Sequence, residues 1–160
     1  MSLSIRAKQS LKQALINAAA NNEIAAILDG LPDVFTIDQV VTLTNAVSTA
    51  LATQVPAGAV ITSICANAQT LVEGDASGDN LLARVAIGIS GTIAKYGALT
   101  ALTKNTKLTG TPTHAVLSAA ETITLFAAKT DNSAATEKFV AGGLVRVRIT
   151  YLRAAALPDV

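Results

Sequence analysis

Val55-Pro56-Ala57-Gly58-Ala59-Val60-Ile61-Thr62-Ser63-Ile64-Cys65-Ala66-Asn67-Ala68 is the stretch from which the fold is read. Pro56 presets φ for the second position of a β-turn, and Gly58 suits the turn's last position. The run that follows carries Val60, Ile61, Thr62 and Ile64, whose branched side chains sit well on a pleated surface and poorly in a helix. A turn that opens into such a run predicts a strand. The remainder of the chain repeats the same order of strand, polar loop and strand.

Downstream, Glu73 to Asn80 is a loop by composition. Ala83 to Ile89 alternates, with Val85, Ile87 and Ile89 on one face and Arg84, Ala86 and Gly88 on the other. Ser90 to Pro112 is rich in Gly, Thr, Lys and Asn and reads as a long connection, with Tyr96 and Leu99 as inward anchors and room for short strands. A short strand is expected at His114 to Leu117 and a firmer one at Thr122 to Ala128, before a polar hairpin at Lys129 to Ser133. From Phe139 to Leu152 the alternation is at its cleanest. Val145, Val147, Ile149 and Tyr151 face one way, and Arg146, Arg148 and Thr150 the other, as in a strand buried on one face only.

Upstream, residues 4 to 29 read as helix, capped by Ser4, with an apolar stripe at Leu11, Leu15, Ala18 and Ala19. Asn21-Asn22 interrupts that stripe, and a second begins at Ile24, Ile27 and Leu28 before Gly30 and Pro32 end the segment. Both stripes are narrow, so the helix needs a surface to lie on, either its own domain or a neighbour. Between Val34 and Thr53, Thr36-Ile37-Asp38-Gln39 resembles a capping box, whereas Val40 to Thr44 is a β-rich run. The strand reading is preferred, with a second strand from Thr49 to Val55. The fold class expected is therefore mainly β: an antiparallel β-sandwich of jelly-roll type over residues 32–160, preceded by an N-terminal α-helical arm over 1–31.

Composition narrows the function. The 160 residues carry a formal net charge of +1 with 14% charged residues, which gives no overall electrostatic footprint for nucleic acid. Hydrophobic residues reach 51% and mean hydropathy is +0.47, yet no run of about 18 apolar residues spans a membrane. Apolar surface buried between subunits accounts for the surplus. No apolar signal segment opens the sequence, and one cysteine makes no intrachain disulfide, so a reducing cytoplasm is the expected place of synthesis.

No catalytic constellation is expected. His114 is the only histidine and Cys65 the only cysteine, so a zinc site is excluded and Cys65 reads as a buried, inert thiol. Asp75, Ser77 and Asp79 begin like a calcium loop, but Gly78 is misplaced and Ala86 stands where the closing glutamate belongs; only a looser site between loops remains open. No cofactor is expected. Arg146 and Arg148 either line a wet sheet face or form a stripe that pairs with carboxylates of a neighbouring subunit. Trp is absent, and three Phe and two Tyr complete the aromatics, which gives little support to a sugar-binding tip.

Three segments carry a family resemblance. The alanine-rich S-I-R-A-K-Q-S-L-K-Q-A-L-I-N-A-A-A-N-N-E-I-A-A-I-L-D arm, the turn and strand V-P-A-G-A-V-I-T-S-I, and the closing F-V-A-G-G-L-V-R-V-R-I-T-Y-L resemble those of small tailed-bacteriophage virion proteins, namely capsid decoration or cement proteins and related head-fibre proteins. That resemblance implies a non-enzymatic structural protein on the outer capsid surface of the virion, made in the host bacterial cytoplasm. Its implied partners are the major capsid protein and itself, as a homotrimer in preference to a homodimer, with no nucleic acid and no membrane. Leu11, Leu15, Ile24, Ile27, Arg146 and Arg148 are the expected interface residues. The alternative is a fibre or tail-associated module that recognises a host surface.

Overall fold

In the computed structural model, residues 33–76 and 81–153 are described. Eight strands follow one another: β1 (Asp33–Thr42), β2 (Ser48–Ala50), β3 (Ala59–Ala68), β4 (Arg84–Ile89), β5 (Thr92–Leu99), β6 (Lys107–Thr109), β7 (Thr124–Ala128) and β8 (Leu144–Arg153). They form two antiparallel four-stranded sheets, ordered β1-β8-β3-β6 and β2-β7-β4-β5. Only β4 and β5 are neighbours both along the chain and in a sheet. Every other connection joins strands that are not paired, so the fold is held by long-range ladders. Among the described residues there is no helix. The expected helical arm, with Leu11, Leu15, Ile24 and Ile27, lies outside the described residues.

One apolar core draws on both sheets, with Ile37 and Val41 from β1, Ile61, Ile64 and Ala66 from β3, and Val145, Val147 and Ile149 from β8 on one side. Val85 and Ile87 of β4, Tyr96 and Leu99 of β5, and Leu125 and Ala127 of β7 meet them from the other. Burying a side chain the size of Val or Ile contributes roughly 1.5–3 kcal/mol, so this layer supplies the main drive to fold. The alternation read in β8 holds: Val145, Val147 and Ile149 are fully buried while Arg146 and Arg148 are exposed.

β3 departs from simple alternation in a way that matters. Ile61 pairs with Tyr151 and Ser63 with Thr150, which leaves Thr62 as an extra residue in a β-bulge. Its hydroxyl donates to the Thr150 carbonyl at 3.1 Å. Before the bulge the buried positions are Ala59 and Ile61; after it they are Ile64, Ala66 and Ala68. Cys65 and Asn67 are thereby turned to the outer face, and the expectation of a buried Cys65 fails because the bulge changes the phase of the strand. Cys65 is half-buried instead.

Other boundaries differ for equally local reasons. β1 starts at Asp33, well before the β-rich run, and the Thr49 strand shrinks to three residues of β2. The segment from Ser90 to Pro112 does hold strands, the three-residue β6 and an eight-residue β5 that is longer than the short strands expected there. Gly97, at φ 110°, breaks the alternation of β5 so that Tyr96 and Leu99 both reach the core, and Leu108 packs over the space a Cβ would take. Between His114 and Leu117 a single bridge, Val60 to Val116, replaces the expected strand.

Candidate functional site

The outer face of sheet β1-β8-β3-β6 gathers the charged groups. Strand register sets Arg146 of β8 beside Asn67 of β3 and Asn67 beside Lys107 of β6; one step on, Arg148, Cys65 and Thr109 make a second row. These residues, with Ala66 and Leu108, line a shallow groove of about 340 Å³. The Asn67 Oδ1 is buried and has no hydrogen-bond partner.

Across β8 from the groove stands Asp38 of β1. Arg146 donates to it from Nε at 2.7 Å and Nη2 at 2.8 Å, and Arg148 from Nε at 3.0 Å and Nη2 at 2.6 Å. Hydrogen bonds from Arg146 and then Arg148 hold the Asp38 carboxyl well below the usual carboxylate range, and the same contact raises the Arg146 pKa. The carboxylate that meets the two arginines thus belongs to their own chain. In the sequence Asp38 stands ahead of the β-rich run Val40 to Thr44, in a segment that resembles a capping box, and only the extension of β1 back to Asp33 turns it outward beside β8.

Two further carboxylates are engaged by the fold, one buried and one half-buried. Glu137 is 5% exposed, and its Oε1 accepts the Ala76 N–H at 2.8 Å while Oε2 accepts the Leu82 N–H. A Cβ at Gly74 would fall on that carboxylate, so the glycine makes room for it. Glu137 therefore ties both flanks of the loop whose Asp75 begins a calcium-like pattern. Asp75 of that loop accepts the Lys138 N–H at 3.2 Å, residues 77–80 are outside the described set, and among the described residues no cluster suits a metal ion. Glu121 accepts from Lys95 Nζ and from the Tyr96 hydroxyl, and burial, then the hydrogen bond to Glu121, pushes the Tyr96 pKa up. His114 is exposed, on a backbone with φ 54°. None of these groups converges on a cavity with a nucleophile and an orienting base, the minimum for covalent or acid–base catalysis.

No protein-family model matches the chain. No curated protein matches it either. Solved structures do share the fold. A chain of the capsid asymmetric unit of cyanophage Pam1 is 16% identical, with a TM-score of 0.51 over 77% of this chain and 86% of that one. A chain in the capsid of Ralstonia phage GP4 is 14% identical, with a TM-score of 0.52 over 79% of this chain and 88% of that one. These neighbours are phage capsid proteins, so the resemblance read from the sequence is met at the level of the fold.

Proposed function

We propose that this chain is a structural virion protein that binds the outside of a phage capsid and stabilises it, without catalysis, cofactor, nucleic acid or membrane. The observation that carries this reading is the fold shared with chains of two phage capsid structures over more than three-quarters of its length. The strand order, β1-β8-β3-β6 against β2-β7-β4-β5, supports a jelly-roll topology. In this reading residues 32–160 form the sandwich and 1–31 the helical arm, with Leu11, Leu15, Ile24 and Ile27 seating the arm on a neighbour and Arg146 and Arg148 facing the shell.

A protein that binds only the assembled shell stabilises it by mass action. Homo-oligomerisation, as a trimer in preference to a dimer, multiplies weak contacts into firm retention. The experiment is sedimentation of the purified full chain with and without shells lacking it. The expected result is an oligomer that co-sediments with shells and raises their thermal midpoint. A monomer that stays in the supernatant and leaves that midpoint unmoved overturns the reading.

A further inference from the structure

We propose that the groove over β3, between the arginine pair of β8 and Lys107 of β6, seats an extended acidic peptide segment of a neighbouring protein chain. Identifying that neighbour as a shell subunit rests on the function proposed above; the chemistry of the seat does not.

The charge count comes first. The groove lining holds Lys107, Arg146 and Arg148 and no acidic residue. Asp38 brings one negative charge to the two guanidiniums and engages only their Nε and Nη2 atoms, so Nη1 of each makes no bond to it. The pair keeps one net positive charge and spare N–H donors, and Lys107 adds another charge from the far bank. Strands two places apart in a sheet are separated by about 10 Å, so β8 and β6 flank a space that a single carboxylate side chain fills. Guanidinium forks favour carboxylates in such a position.

The floor then separates one anion class from another. Asn67 lies in the middle of the row Arg146, Asn67, Lys107, and its buried Oδ1 lacks a donor. An unmet buried acceptor costs free energy until an N–H reaches it. A peptide supplies both halves: carboxylate oxygens for the cations and a backbone N–H for Asn67. A phosphodiester carries no N–H or O–H and offers acceptors alone, and inorganic phosphate at neutral pH keeps only an O–H or two on a compact anion too small to span the row of about 10 Å. The floor also holds the chain's single cysteine, Cys65, which reports on occupancy.

The test uses the full chain and hexaglutamate as probe, with inorganic phosphate as comparator. Hexaglutamate is expected to shift the backbone amide resonances of Cys65, Asn67 and Lys107 and to slow alkylation of Cys65 by N-ethylmaleimide several-fold. Phosphate at equal charge should do neither. Lys107→Glu should weaken hexaglutamate binding about tenfold with no change in thermal midpoint, since Lys107 is exposed. Asn67→Asp, which fills the row with a carboxylate of its own, should abolish protection of Cys65. Equal protection by phosphate, shifts scattered over all lysines, or unchanged binding by Lys107→Glu each overturns the proposal. A chain that sediments with shells while hexaglutamate leaves Cys65 unprotected loses the groove and keeps its virion role. One that takes hexaglutamate in the groove yet ignores shells keeps the groove and loses the role.

Discussion

The two sheets differ most on the faces they turn away from each other. Outside β1-β8-β3-β6 lie Asp38, Arg146, Arg148 and Lys107, a wet surface rich in charge. Outside β2-β7-β4-β5 lie Ala86, Ala98 and Ala128, all buried, with Ile93, Ala94 and Phe126 packed around them. One face carries charge; the other is a second apolar layer built from small side chains. Gly88 belongs to the same economy, because a Cβ there would run into the backbone of Thr92 and Ile93. β4 is consequently buried on both sides, and a strand in that position needs apolar or very small residues throughout.

Placing the same charge on each face breaks the comparison most sharply. Ala86→Asp puts a carboxylate into the small apolar layer, where Ala86 is fully buried, and should cost about 3 kcal/mol in urea denaturation. Thr109→Asp, at an exposed position on the outer face of the other sheet, should stay within about 0.5 kcal/mol of the parent. Equal losses would show that the two faces are alike in polarity after all.

Smaller effects sharpen the picture at its edges. Glu137→Ala strips acceptors from the Ala76 and Leu82 amides; a loss of about 2 kcal/mol is expected, with faster proteolysis between those residues. Tyr96→Phe removes the hydroxyl that donates to Glu121 and should cost about 1 kcal/mol. Its raised pKa adds a sign: a neutral Tyr96 favours the fold below the unfolded tyrosine value of about 10, and that advantage fades as pH climbs through the higher folded value. The phenylalanine variant should therefore lose less on going to strong alkali.

The least effect belongs to the exposed tie between β1 and β8. The Asp38 pKa is depressed in the fold, so its contribution is complete above the unfolded aspartate value of about 3.9 and is lost as pH falls from there towards the folded value. The difference in thermal midpoint between the parent and Asp38→Asn should be present at pH 7 and shrink steadily below pH 4. A difference that does not shrink at all between pH 4 and pH 2 would mean that something other than the ion pair holds β1 against β8.

What could be read from the chain beforehand follows a physical rule. β8 was legible because one buried face and one wet face write a period of two into its residues. β4 was legible as a strand but not as a doubly buried one, since Ala86 and Gly88 look like an outer face until β5 and β7 are in place. β5 was hidden inside an apparent connection because Gly97 breaks its alternation at the point where Tyr96 and Leu99 both turn inward. In the candidate site, Arg146 and Arg148 were found from strand parity alone. Asp38, Asn67, Lys107 and Glu137 were not, because each acquires its role from partners more than 40 residues away, or from register between strands.

Thr62 is a supernumerary residue, and its presence makes β3 two half-strands of opposite parity spliced into one. Removing it would leave each half looking the way it already looks, whereas adding a residue anywhere between Ser63 and Ala68 would turn core-facing side chains outward, and outer ones inward, across the rest of the strand. Length changes in this chain therefore carry a direction: the strand tolerates losing its splice far better than gaining a second one.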